Sequence, residues 1–127
     1  MSGSGLISIG SHTDSHPVLT RCSAERVKDE LWSSKQIIEE RTGLDCTLSS
    51  YPHGQASDFD EGTKTAVAEL GFSCGAAAIG GLNTAASDPF ELRRVGVDNR
   101  DHLADFIWNM SELRWVSRDI RSKVLSH

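Results

Sequence analysis

Two histidines, His12 and His16, are separated by three residues directly after a short apolar run. In a helical turn, this spacing places both imidazoles on one side of the backbone, where they can reach a common point. A neutral imidazole nitrogen is a good zinc ligand, so the pair predicts a divalent-metal site and hydrolytic chemistry. No glutamate follows the first histidine, which excludes the H-E-x-x-H motif of zinc proteases.

A second segment that could take part in chemistry is Tyr51-Pro52-His53-Gly54, which follows a predicted strand. A Pro-x-Gly turn has a purely structural use, because proline and glycine both end a strand. It also has a functional use, because its exposed N–H groups can face an oxyanion and the turn can form the wall of a groove. The residue pattern leaves both interpretations open.

The elements that must position these segments begin with an apolar run, which predicts a strand over 6–9 just before the histidine pair. The next element is a predicted helix over 24–42, where apolar residues recur at helical spacing. Ser23 is expected to be its N-cap and Gly43 its C′ residue. The histidine pair therefore lies between a strand and a helix.

Strands and helices continue to alternate along the rest of the chain. A second helix is expected after the Pro-His-Gly turn, with Ser57, Asp58 or Asp60 as its cap. The remaining predictions are strands over 46–51, 72–78 and 92–97 and a long terminal helix over 103–120. About four parallel strands alternating with helices indicate an α/β fold, either part of a (β/α) barrel or an open three-layer sandwich.

Size and charge restrict the kind of protein. A chain of 127 residues fits one small domain, whereas a complete eight-stranded barrel needs roughly 200 residues or more. The net charge of −5 argues against nucleic acid and anionic membrane surfaces as partners. No stretch is long and apolar enough to span a bilayer, and no signal peptide is recognised. We interpret residues 1–5 as a cloning remnant and residues 6–127 as one soluble domain of undetermined compartment.

Together these motifs resemble the polysaccharide deacetylase family, the NodB-homology domain of carbohydrate esterase family four. Residues 12–16 match the family's H-[ST]-x-x-H motif, within a frame similar to I-G-S-H-T and H-P-x-L. Residues 49–54 are similar to its F-x-Y-P-[YF]-G motif, with His53 in place of the usual aromatic residue. Residues 88–94 resemble a segment near the end of one bacterial branch. The resemblance covers nearly the whole chain and implies a partial deformed (β/α) barrel.

The resemblance also implies a reaction and roles for single residues. The family removes acetyl groups from an acetylated amino-sugar polymer with a divalent metal, usually zinc and sometimes another ion such as cobalt. Here His12 and His16 would hold the metal together with one aspartate, and a second aspartate would be the general base. The backbone N–H of His53 would bind the oxyanion. The substrate-binding residues would be Tyr51, Pro52, His53 and Gly54.

Part of this machinery has no counterpart in the 127 residues. The T-F-D-D-[GA] motif, which carries both family aspartates, does not occur, and Ser49 and Ser50 stand where an arginine often precedes the third motif. Asp14 lies between the two histidines but would point away from them in a helix. His127 follows apolar residues and superficially fits the family's general acid, although a disordered tail or purification remnant is the alternative.

Two functional hypotheses follow from these matches and gaps. The first is a metal-dependent polysaccharide de-N-acetylase domain, which in isolation is expected to be inactive because a ligand and the general base are missing. The second is a non-catalytic α/β fragment in which the histidine pair is structural or vestigial. Such a fragment would form homo-oligomers through the exposed strand edges of an incomplete barrel.

Overall fold

A computed structural model describes residues 4–116 as a parallel three-stranded sheet with three α-helices, one of which joins the first two strands. The sheet order is β1-β2-β3, and both strand pairs are parallel. In chain order the elements are a short 3-10 helix (Leu19–Arg21), α1 (Ala24–Thr42), β1 (Leu48–Ser50), α2 (Glu61–Glu69), β2 (Cys74–Gly80), β3 (Leu92–Arg94) and α3 (Leu103–Met110). The predicted α/β class is confirmed. None of the helices in this part of the chain could cross a membrane.

The predicted first strand is wrong, because residues 6–9 form no ladder. Only Ser11 bridges to the sheet, in parallel with Ser49. The Ser11 N–H donates to the Leu48 carbonyl at 2.8 Å, and the Ser50 N–H donates to the Ser11 carbonyl at 2.9 Å. Because β1 has only three residues, it offers no backbone partners to the chain before Ser11. Leu6 is therefore 89% exposed despite its apolar character.

Local signals account for both ends of α1. The Ser23 hydroxyl accepts the Arg26 N–H at 3.3 Å, as an N-cap does. At the other end Gly43 adopts a left-handed φ of 68° and donates its N–H to the Glu39 carbonyl at 2.8 Å. The predicted bounds of this helix are confirmed.

The other elements keep their predicted type but change their limits. β2 ends two residues later than predicted, and β3 stops at Arg94 rather than continuing to residue 97. The predicted terminal helix breaks at Ser111, which is extended at ψ 141° and donates its hydroxyl to the Trp108 carbonyl at 2.7 Å. Helical residues resume at 112–116, and the rest of the predicted helix lies outside the described residues.

The core lies where α1 and α2 pack on the sheet, and Tyr51 is among its largest side chains. The Tyr51 ring is 1% exposed and stacks on Phe59 with centroids 4.3 Å apart. Its hydroxyl donates to the Phe90 carbonyl at 2.6 Å, and burial raises the pKa of the phenol. The structure thus corrects the expectation that Tyr51 lines a sugar groove. Its neighbour Pro52 is also fully buried, so the side chains of both residues pack into the core below the exposed His53.

Candidate functional site

The two sequence segments meet at the carboxyl edge of the sheet, where α/β proteins commonly place their sites. His12 directly follows Ser11, which bridges to β1. The Pro-His-Gly turn begins two residues after β1 ends at Ser50. Strand pairing therefore brings together two loops that are about forty residues apart in the chain.

Three imidazole rings lie in a row at this edge. The ring centroids of His12 and His16 are 4.8 Å apart, with the ring planes at 68°. His16 and His53 are 4.9 Å apart, with the planes at 71°. All three residues are exposed. The proximity of the first two rings was expected from their spacing, whereas the third contact exists only because β1 carries His53 to the same edge.

The backbone that produces this row is not the helical turn predicted for residues 12–16. Thr13 and His16 have left-handed φ values of 65° and 58°, and His53 has a φ of 59°. Within residues 4–116 these are the only residues other than glycine with a positive φ. The loop closes when the His16 N–H donates to the Thr13 hydroxyl at 3.1 Å. Strained backbone of this kind is concentrated at functional sites.

The orientation of His12 is set by β1. Its Nδ1 lies 2.9 Å from the Ser50 carbonyl oxygen and 2.8 Å from the Ser50 hydroxyl. Because a carbonyl oxygen can only accept, Nδ1 carries the proton and donates it to that oxygen. In the neutral ring Nε2 is then the unprotonated nitrogen. Metal-binding histidines commonly show this arrangement, in which one ring nitrogen is anchored and the other is free to bind.

The histidine pair fits part of a zinc site. Two imidazoles on one tetrahedral zinc ion have centroids about 5 Å apart, because the Zn–N bond is about 2.1 Å. The separations of 4.8 Å for His12 and His16 and 4.9 Å for His16 and His53 are both of this size. However, in the described part of the chain no three histidine, cysteine or acidic side chains are arranged to hold a metal. The pair would therefore account for two ligands of such a site, and its metal role is a prediction.

The neighbouring aspartates are engaged elsewhere. The Asp14 carboxylate accepts the Ser33 hydroxyl at 3.0 Å and so faces α1. Asp60 caps α2 by accepting the Thr63 N–H at 2.8 Å, as predicted, and these hydrogen bonds lower the pKa of its carboxyl. Asp58 accepts the Gln55 N–H at 2.9 Å within a turn. Within residues 4–116, none of the three joins the two imidazoles in a group that could hold a metal.

The Pro-His-Gly turn is attached firmly to β2. The Tyr51 N–H donates to the Ala76 carbonyl at 3.1 Å, and the Ala78 N–H donates to the Gly54 carbonyl at 2.8 Å. Gly54 has a left-handed φ of 71°, and a Cβ there would lie 2.7 Å from the Ala78 nitrogen. No acceptor among residues 4–116 takes the N–H of His53. That N–H is therefore available, as an oxyanion donor must be.

Sequence reasoning overlooked Glu30, a charged residue on the buried face of α1. Burial alone would raise the pKa of its carboxyl, but hydrogen bonds from Ser15 and from the Asp14 N–H, together with nearby Arg26, lower it below the usual value. The available signal was its position next to Leu31 and three residues after Val27, both of which are buried. His127, the predicted general acid, lies outside the described residues.

Comparison with solved structures identifies the class of fold. The deacetylase PplD of Streptococcus pyogenes, solved in complex with acetate, has a TM-score of 0.75 and 22% identity over 82% of this chain. A polysaccharide deacetylase from Bacillus cereus has a TM-score of 0.75 and 21% identity over 86% of this chain. The chain spans 45% and 34% of the lengths of those two structures. It therefore has part of a polysaccharide deacetylase fold.

A comparison with family models identifies the family. The model for polysaccharide deacetylase matches residues 1–75, which include the histidine pair and the Pro-His-Gly turn. This chain belongs to the polysaccharide deacetylase family. The deacetylase domain of BpsB from Bordetella bronchiseptica is 27% identical over 56% of this chain, with a TM-score of 0.51, and the aligned part spans 26% of that domain's chain. A search of curated proteins finds no match.

Proposed function

We propose that this chain is part of a metal-dependent de-N-acetylase that removes acetyl groups from the amino sugars of a polysaccharide. The observation that carries the proposal is the contact between the His12 and His16 rings, 4.8 Å apart at the carboxyl edge of the sheet. The anchoring of His12 Nδ1 on Ser50 supports it, because this leaves Nε2 free. Membership of the family supports the substrate class.

Each residue of the site has a distinct part in this proposal. His12 and His16 would hold zinc, or another divalent ion such as cobalt. When bound, such an ion supplies Lewis acidity toward the acetyl carbonyl and makes water more acidic. The free N–H of His53 would donate to the oxygen of the carbonyl under attack, and its exposed ring would contact the sugar. Pro52 and Gly54 would hold the turn in shape.

This proposal assigns no residue of the chain as the third metal ligand or as the general base. The T-F-D-D motif does not occur in the 127 residues. Loss of a general base alone lowers the reaction rate about 10²–10⁴-fold. We therefore expect the 127 residues by themselves to release acetate at close to the background rate.

Acetate release from a soluble N-acetylglucosamine oligomer, with Zn²⁺ or Co²⁺ added, tests this proposal. The chain would be assayed alone and with a family segment carrying the T-F-D-D motif fused ahead of it. We expect release by the fused protein, background release by the chain alone, and no release by the fused protein with His16→Ala. Absence of release from both proteins would contradict the proposed activity. Equal acetate release by the fused protein and by the chain alone would show that the aspartates of the T-F-D-D motif are not needed for activity.

A second candidate role, a self-associating α/β fragment, is favoured by the exposed apolar surface. β3 is an edge strand of the described sheet, and on α3 Leu103 is 74% and Ile107 60% exposed. Exposed edges and apolar patches commonly mark association surfaces. Light scattering over a range of concentrations should then give a mass above that of one 13.8 kDa chain. A constant monomer mass would contradict this role.

A further inference from the structure

Helix α1 makes polar side-chain contacts with the segment that carries the two histidines. Ser34 is hydrogen-bonded to the hydroxyl of Ser11, and both residues are buried. Ser33 donates its hydroxyl to the Asp14 carboxylate at 3.0 Å. Glu30 contacts this loop, and its side chain is only 9% exposed. The loop is therefore held by α1 as well as by β1.

The Glu30 carboxylate makes the most hydrogen bonds in this group. Its Oε2 accepts the N–H of Asp14 at 3.1 Å and the N–H of Ser15 at 2.7 Å. Its Oε1 accepts the hydroxyl of Ser15. Burying a carboxylate is unfavourable unless its oxygens are hydrogen-bonded, and three donors from one loop meet that need. The guanidinium of Arg26, at 3.6 Å, is the neighbouring positive charge.

The backbone geometry of residues 13–15 favours an anionic acceptor next to the loop. Thr13 has a left-handed φ of 65°, and the next two N–H groups, of Asp14 and Ser15, point to one oxygen. Successive N–H groups that converge after such a residue form a concavity that binds an anion. Without this acceptor, the two backbone donors would lose their partner within the protein and the left-handed conformation would lose that support.

We propose that Glu30 is a positioning residue, whose carboxylate holds the loop in the conformation that places the His12 and His16 rings in contact. Its effect on metal affinity rests on the proposed function, whereas its effect on ring contact does not. A glutamine at this position would present one acceptor oxygen and one amide NH₂ group. That NH₂ group can donate to the Ser15 hydroxyl, so glutamine keeps the number of hydrogen bonds but removes the negative charge, and hydrogen bonds to a charged acceptor are roughly twice as strong as neutral ones.

The experiment compares Glu30→Gln with Glu40→Gln, an exposed glutamate on the same helix. Nuclear Overhauser contacts between the His12 and His16 rings would be measured in the metal-free chains, and Co²⁺ affinity by calorimetry. We expect Glu30→Gln to weaken the ring contact and to bind Co²⁺ about 10-fold more weakly, at the lower end of the effect that changes next to metal ligands have. Glu40→Gln should match the unsubstituted chain. Glu30→Asp, which keeps a carboxylate, should retain more affinity than Glu30→Gln.

Each result separates the two proposals. An intact ring contact in a folded Glu30→Gln chain, or Co²⁺ affinity equal to that of the unsubstituted chain, would overturn the role of Glu30. If the unsubstituted chain binds no Co²⁺ but its ring contact weakens on Glu30→Gln, the positioning role stands and the metal site fails. If Glu30→Gln does not fold, the ring contact in Ser15→Ala, which removes one of the three donors, decides, since a weakened contact there supports the role and an unchanged one opposes it.

Discussion

Replacement of both His12 and His16 by alanine is expected to abolish stoichiometric binding of Zn²⁺ and Co²⁺. A complete structural zinc site binds with about 10–16 kcal/mol, so each of four ligands accounts for roughly 3 kcal/mol. That energy corresponds to about a hundredfold in affinity per histidine. Because the two rings lie 4.8 Å apart and would share one ion, replacing both should remove the whole site. Calorimetric titration of the metal-stripped chain measures the effect.

The control for this titration is His102→Ala, which removes an exposed imidazole at the start of α3. Its affinity should equal that of the unsubstituted chain, which would show that the loss depends on the site rather than on histidine content. His16→Ala alone should already weaken binding strongly. Stoichiometric binding retained by the double variant would place the metal elsewhere in the chain.

Replacement of Gly54 by alanine is expected to give a large loss of folding stability. The left-handed φ of 71° costs an alanine about 1–2 kcal/mol. Its Cβ would also lie 2.7 Å from the Ala78 nitrogen, which belongs to rigid strand backbone and donates to the Gly54 carbonyl. Overpacking of this kind typically adds about 1–3 kcal/mol. We therefore expect about 3 kcal/mol in total, measured by urea unfolding.

Gly43→Ala provides a matched control for this measurement. Gly43 has nearly the same φ, 68°, but no atom lies within 4 Å of the position that its Cβ would occupy. Its replacement should cost only the conformational part, about 1 kcal/mol. The difference between the two variants isolates the contact with β2. Equal losses would show that the turn can move away from the strand, and that His53 is held less firmly than the hydrogen bonds indicate.

Predictions from short-range patterns were accurate, whereas strand limits were not. Ser23 and Gly43 cap α1 as expected, because capping is decided by residues within one turn of the helix. The apolar run over 6–9 has strand character but forms no ladder. A strand exists only where another strand offers backbone partners, and these are not encoded in the run itself.

The candidate site shows the same division. The motifs were sufficient to place the chain in its family, and they identified the two segments that meet. The helical turn inferred for residues 12–16 was wrong, because Thr13 and His16 adopt left-handed conformations and the intervening N–H groups donate to Glu30 instead. The burial of Tyr51 was also missed, because a tyrosine after a strand can face either the core or the solvent.

The sequence by itself determined the family, the α/β class, the ends of the first helix and the identity of the candidate metal ligands. These depend on residue types at short spacing, where local hydrogen bonding and helical periodicity act. Only the tertiary structure decided that His53 joins the pair, that Glu30 supports the loop and that Tyr51 lies in the core. Those outcomes depend on contacts between residues far apart in the chain, whose geometry is fixed only when β1, β2 and α1 pack together.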